Sequence, residues 1–155
     1  MKVELRNVKY AKLASEETAC FNATVVIDDR PSGAVRNDGR GGANFYDPRD
    51  LEDQLEAYAK TLPPLPPDPK MGIIEPLAMS ADLFVGELLH RELGRKDLRR
   101  LLKGRVVTIK DGKVYQTAVL PKAELTARLA KPSADVVLNL LPEDEALDLF
   151  LKAAG

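Results

Sequence analysis

The sequence predicts an α+β fold, and three observations carry that prediction. Strand-like alternation fills the first forty residues, whereas helical spacing dominates most of the remaining chain. A proline-rich stretch separates the two regimes. Strands and helices do not alternate regularly, which argues against a doubly wound sheet. The expected order is an N-terminal antiparallel β-meander with a helix (1–62), a Pro-rich linker (63–79), and a helix/hairpin/helix half (80–155) ending in a C-terminal helix. At 155 residues the length suits one compact domain.

In the meander, Val3 and Leu5 alternate with Lys2, Glu4 and Arg6. After Asn7 the phase shifts to Val8 and Tyr10, the signature of a bulge. Cys20 to Asp28 is the clearest strand, with Phe21, Ala23, Val25 and Ile27 on one face. Asp29-Arg30-Pro31-Ser32-Gly33 reads as a turn leading to a short strand around Ala34 to Arg36. Asp47-Pro48 reads as a helix start, with Asp47 as cap and Pro48 at the first helical position. Leu51, Leu55, Tyr58 and Leu62 then form one stripe.

Pro63, Pro64, Pro66, Pro67 and Pro69 forbid regular helix and favour an extended chain. Ser80 caps the next predicted helix, 81–93, whose buried face holds Leu83, Phe84, Val85, Leu88, Leu89 and Leu93. Gly94 is expected to end or kink it before a second helix, 95–103, that turns Leu98, Leu101 and Leu102 inward. Val106 to Ile109 and Val114 to Val119 flank Lys110-Asp111-Gly112-Lys113, a two-residue hairpin signal. Pro121 opens a helix anchored by Leu125 and Leu129, and Asp135 to Asn139 reads as a short strand. Pro142 opens the last helix, with Ala146, Leu147, Leu149, Phe150 and Leu151 toward the core.

Composition narrows the function classes. With no Trp and 5% aromatic residues, the core is built mainly from Leu, Val, Ile and Ala. A net charge of −1 gives the whole molecule no strong field for a polyanion or an anionic membrane. Cys20 stands alone, so an internal disulfide is excluded and a reducing cytoplasm is the expected location. The opening MKVELRNVKY lacks the apolar run of a signal peptide, and no segment approaches the ~20 apolar residues of a membrane span. One His and one Cys leave no basis for a zinc site, so no metal and no cofactor are expected.

Charge is uneven along the chain. Between Arg91 and Lys113 lie Arg91, Arg95, Lys96, Arg99, Arg100, Lys103, Arg105, Lys110 and Lys113, against Glu92, Asp97 and Asp111. From Ser133 onward the balance reverses, with Asp135, Glu143, Asp144, Glu145 and Asp148 against Lys152. The face carrying Arg95, Lys96, Arg99, Arg100 and Lys103 is a candidate nucleic-acid patch. Pairing with the acidic tail within the fold is the plainer reading of the same residues.

The stretch VRNDGRGGANFYDP is the strongest candidate for a binding site. Arg36, Asn37, Asp38, Gly39, Arg40, Gly41, Gly42 and Tyr46 would supply it, as backbone N–H donors, flexible glycines and cationic side chains. It matches neither the P-loop nor the dinucleotide fingerprint. A structural connection explains the same composition. His90 lies on the polar side of its helix beside Glu87, and Cys20 opens a strand, so each has an ordinary structural explanation. Asp28, Asp29, Asp38 and Asp47 would form an acid/base or Mg²⁺ group only if the meander gathered them. No catalytic residue is assigned.

One resemblance rests on larger pieces: Val35-Arg-Asn-Asp-Gly-x-Gly-Gly-x-x-x-Tyr-Asp-Pro-Arg49, then the Pro-rich segment, then Lys96-Asp-Leu-x-Arg-Leu-Leu-Lys103, Lys110-Asp-Gly-Lys-Val-Tyr-Gln-Thr117 and Val137-Leu-Asn-x-Leu-Pro-Glu-Asp-Glu-Ala-Leu147. This pattern resembles a family of small uncharacterised proteins encoded by bacteriophages and prophages. The resemblance implies an accessory protein that binds a host protein or complex, in some cases to inhibit a host system. The expectation is therefore a binding protein with a host protein as partner, and enzyme activity is left open. The alternatives are a nucleotide or nucleic-acid binder and a small phosphate-handling enzyme.

Overall fold

The computed structural model describes residues 1–133 and 135–155. The chain forms two compact units, Met1–Leu89 and His90–Gly155. The architecture is α+β, as the sequence predicts: an N-terminal four-stranded antiparallel meander, then helices with a small three-stranded antiparallel sheet and a C-terminal helix.

In the first unit, β1 (Val3–Tyr10), β2 (Cys20–Ile27), β3 (Arg30–Asp38) and β4 (Phe45–Asp47) pair in sequence order. The β1 register shifts between Arg6 and Lys9, and Asn7 takes a φ of 52°, so the bulge falls where the phase change places it. One sheet face is apolar: Leu5, Val8, Phe21, Ala23, Val25, Val35 and Tyr46 are all buried. Helix α1 (Asp50–Ala59) buries Leu51, Leu55 and Ala59, and a Cβ on Gly33 would meet the Leu51 side chain at 2.8 Å. The predicted stripe is thus correct at Leu51 and Leu55. Tyr58 is half-buried and meets Phe84 edge-on at 5.4 Å between centroids.

Two turn readings are corrected. The β2–β3 reversal uses only Asp28 and Asp29, at φ 47° and 64°, and Ile27 pairs directly with Arg30. Positive φ at both central residues is the hairpin geometry that matches strand twist, and Asp tolerates it. Pro31, Ser32 and Gly33 belong to β3, with a register shift between Val25 and Val26 absorbing the irregularity. Asp47 does not cap a helix. It ends β4, a strand the sequence reading omitted, and α1 begins at Asp50 without a side-chain cap. Three residues are too few for alternation to announce a strand.

The proline-rich segment folds back on itself. Leu65 and Leu77 exchange both backbone hydrogen bonds, as do Asp68 and Ile73. The Asp68 carboxylate accepts from the Lys70 N–H at 3.0 Å and closes the tip.

Helix α2 (Ala81–Leu102) is continuous through Gly94, correcting the predicted break. Ser80 does cap it, accepting from the Leu83 N–H at 3.2 Å. Gly94 is present for space: a Cβ there would collide with the Leu151 side chain. In the second unit, β5 (Val107–Lys110) and β6 (Lys113–Gln116) form the predicted hairpin, with Asp111 and Gly112 at φ 52° and 72°. Strand β7 (Val136–Val137) pairs with β5 on its other side. Helix α3 (Lys122–Ala130) follows Pro121, and α4 (Glu143–Ala154) follows Pro142, as predicted. Leu98, Val107, Leu138, Ala146, Leu147 and Phe150 make the second core. Asn139 secures its edge, accepting from Val107 N at 2.9 Å and donating to the Arg105 carbonyl at 2.8 Å.

Candidate functional site

The glycine loop is a hydrogen-bonded clasp. Asn37 is buried, and its Oδ1 accepts from the Thr18 hydroxyl at 2.6 Å and from Gly39 N at 2.9 Å. Its Nδ2 donates to the Gly42 carbonyl at 3.3 Å and to Asn44 Oδ1 at 3.1 Å. The Gly41 N–H donates to Thr18 Oγ1 at 3.3 Å. The Gly39 carbonyl accepts from the backbone of Glu16, Glu17 and Thr18. A Cβ on Gly39, at φ +83°, would collide with the Ala14 carbonyl oxygen, so only glycine allows this approach.

These bonds bear on the anion-cradle reading. Two of the N–H groups that would hold a phosphate are already bonded within the protein. The Glu17 carboxylate also lies against Gly41, 2.5 Å from where its Cβ would stand, and opposes an incoming anion. Asp38 and Arg40 are exposed on either side of Gly39. Tyr46 is turned inward, and its hydroxyl donates to Asp82 Oδ1 at 2.7 Å. Burial holds that hydroxyl well above the ordinary tyrosine range, so it stays a donor, and Asp82 also accepts from Asn44 N at 3.2 Å. Asp82, Thr18 and Asn44 were absent from the sequence reading. Their signal was only that polar side chains stood near a glycine run in space.

The opposite, solvent-facing side of the sheet assembles a different constellation. Lys9 pairs with Asn22, Asn22 with Arg36, and Arg36 with Phe45. These four residues therefore form one row across all four strands on one face. Strand spacing of ~4.8 Å puts Lys9 and Arg36 about 10 Å apart. The Arg36 guanidinium lies 4.6 Å from the Phe45 ring centroid, a cation–π contact that fixes the long side chain. Phe45 nonetheless remains 58% exposed. Among the described residues, neither Lys9 nor Arg36 has an ion-pair partner. Asp38 and Asp47 flank the row on β3 and β4, opposite Cys20 and Ala34. The row floors a shallow concavity of about 640 Å³ with Asn7, Thr24 and Asp47. A second of about 300 Å³ shares Lys9, Asn22 and Arg36 and extends to Tyr10, Ala11 and Asp38.

Of the predicted site residues, Arg36 and Asp38 belong to this face, whereas Asn37 and Tyr46 serve the interior and Gly39, Gly41 and Gly42 the clasp. The sequence reading missed Lys9, Asn22 and Phe45. Their relation is one of cross-strand register, which depends on the bulge at Asn7 and on the two-residue turn.

Four arginines of the basic helix are paired with carboxylates within the second unit. Arg91 meets Asp148 at 2.6 Å and Asp144 at 3.7 Å. Arg95, only 19% exposed, meets Glu92, Glu143 and Asp144 at 3.1, 3.0 and 3.3 Å. Arg99 meets Glu143 at 2.7 Å, and Arg100 meets Asp97 at 3.5 Å. Arg99 and then Arg95 hold the Glu143 carboxyl below the usual range. Burial alone would lower the Arg95 pKa, but the hydrogen bonds it donates to Glu143 and Glu92 outweigh that and raise it. Lys96 and Lys103 are exposed on the same helix.

Asp28 and Asp29 sit at one end of the nine-residue β3 and Asp38 at the other, so the meander does not gather them. Asp28 instead accepts from Lys2 N at 2.8 Å. Among the described residues, no group of three His, Cys, Asp or Glu side chains could hold a metal ion, and no helix is long and apolar enough to cross a membrane. His90 is exposed, and Cys20 is half-buried on β2. No protein-family model, curated protein or solved structure matches the chain.

Proposed function

We propose that this chain is a cytoplasmic binding protein that holds a partner protein on the open face of the β1–β4 sheet. The single observation that carries the reading is the row Lys9–Asn22–Arg36–Phe45, which joins two cations without an ion-pair partner among the described residues to an exposed aromatic ring. Aromatic and arginine side chains are the groups that most often dominate binding energy at protein interfaces. Mixed charge favours a protein over a polyanion: Asp38 and Asp47 flank the cations and would repel a nucleic-acid backbone running along the strands. The complementary partner surface offers carboxylates to Lys9 and Arg36, and cationic or hydrogen-bonding groups to the two aspartates. The resemblance to phage-encoded proteins points to a host protein as that partner, with the chain acting as an accessory or inhibitory factor.

The nucleic-acid alternative draws less support, since α2 presents arginines that already hold carboxylates. The phosphate-handling alternative must contend with the internal hydrogen bonds and the carboxylate at the glycine clasp. Affinity capture from a bacterial host tests the reading. Wild-type protein should retain one stoichiometric polypeptide at moderate salt, and Arg36→Glu should lose it. Recovery of nucleic acid that depends on Arg36, or of no stoichiometric polypeptide, would overturn it.

A further inference from the structure

We propose that the proline-rich arm is a second contact with the partner protein, docking into a groove on it that is walled by aromatic rings and includes tryptophan. The inference shares a partner protein with the sheet-face reading and adds a surface that reading does not use. The arm is residues 63–79, and from 60 to 80 no residue is buried. Met71 and Ile74 are 76% and 87% exposed. A segment that buries so little adds little to the core, yet its backbone is closely fixed.

The outgoing leg follows the repeat of a polyproline helix and is held on one side only. Leu65 and Asp68 each exchange both backbone hydrogen bonds with the return leg, at Leu77 and Ile73, over 2.8 to 3.0 Å. These two inward-facing residues are three apart, the period of polyproline and not the two of a strand. The prolines favour that conformation by fixing their own φ and keeping each preceding residue extended. At the tip, the Asp68 carboxylate and carbonyl accept from the Lys70 and Met71 N–H groups, both at 3.0 Å. With Leu65 and Asp68 on the covered side, Pro63, Pro66 and Pro69 fall on one outer ridge and Pro64 and Pro67 on the other. All five prolines are exposed. Rings along one ridge recur about every 9 Å, at ~3.1 Å per residue.

The hydrogen-bonding character of the outer side identifies the occupant. Proline has no N–H, and the N–H groups of Leu65 and Asp68 are spent on the return leg. From 63 to 69 the backbone therefore offers acceptors between apolar rings and, among the described residues, no free donor. Such a strip fits an aromatic face that carries a donor and no acceptor, which is the indole of tryptophan. A leg already held extended also spares the ordering cost of association. The charges of the arm, Asp68, Lys70 and Glu75, nearly cancel, so a polyanion is not matched. A second copy of this chain has no tryptophan to offer.

The test uses the full chain and the polypeptide captured on it, identified and purified. Because this chain lacks tryptophan, tryptophan emission from the mixture reports the partner alone. Wild-type protein should shift that emission on binding. Pro66→Ala combined with Pro67→Ala removes one ring from each ridge and returns two N–H groups. The double variant should bind about tenfold more weakly or worse and lose the shift, while still folded by circular dichroism. Leu13→Asp, at a fully exposed apolar site on the β1–β2 connection, should bind as wild type. If the proline variant binds like wild type while Arg36→Glu does not, the arm inference fails and the sheet reading stands. If the proline variant alone loses binding, the arm stands and the sheet reading fails. Wild-type binding without an emission change, equal losses from Leu13→Asp, or capture of a second copy of this chain only would overturn the arm. Capture of no stoichiometric polypeptide would sink both.

Discussion

Two sets of cations, one in each unit, have opposite fates. In the second unit, Arg91, Arg95 and Arg99 converge on Asp144, Glu143 and Asp148 and are used up inside the fold. In the first, Lys9 and Arg36 line an open sheet face without an acidic partner among the described residues. The richer basic run in the sequence therefore has its arginines taken up by carboxylates once the chain folds. What matters for recognition is how much charge remains unpaired after folding, and two residues on a flat face can outweigh five on a helix.

The comparison can be broken first at the clasp. Gly39→Ala forces an L-residue into positive φ and drives its Cβ into the Ala14 carbonyl, which should cost about 2–4 kcal/mol. Urea unfolding measures it, and a loss under ~0.5 kcal/mol would show that the close approach of Gly39 to Ala14 does not matter to the clasp. A smaller effect is expected from Arg95→Ala. It removes hydrogen bonds to three carboxylates and leaves them mutually repulsive, so the second unit should lose about 1–2 kcal/mol. Arg36→Ala, which breaks no ion pair, should cost less than ~0.5 kcal/mol by the same assay.

The smallest effect is a pH dependence confined to the second unit. Arg99 and Arg95 depress the folded-state pKa of Glu143 below its ordinary 4.5. The unfolded chain therefore binds the proton more readily than the folded one, and stability rises with pH in this window. The contribution is complete above pH 4.5 and disappears as pH falls through the depressed value. Glu143→Gln should flatten that acid limb in unfolding curves. The limb should be unchanged by Arg36→Ala.

Much of the fold was legible because its signals are local. Asp111-Gly112 fixed a hairpin, Pro121 and Pro142 placed two helix starts, Ser80 capped a third, and the phase change at Asn7 marked a bulge. The failures are equally physical. Gly94 resembles a helix breaker, yet its missing side chain makes room for Leu151, a partner 57 residues away in sequence. Asp47-Pro48 resembles a cap, but pairing of Ala34 with Asp47 draws it into β4. The glycine loop was visible as composition, whereas its role depends on Thr18, and the row on the sheet face depends on register across three hairpins. Arg36 was found by sequence, and Lys9, Asn22 and Phe45 could be found only in space.

The most direct test of the central claim is paired charge reversal, with the affinity of the captured polypeptide measured by calorimetry for Arg36→Glu and Arg99→Glu side by side. The open sheet face predicts at least about a tenfold loss for Arg36→Glu and wild-type affinity for Arg99→Glu. Loss at Arg99 with retention at Arg36 would contradict the account and move the binding surface to the helix.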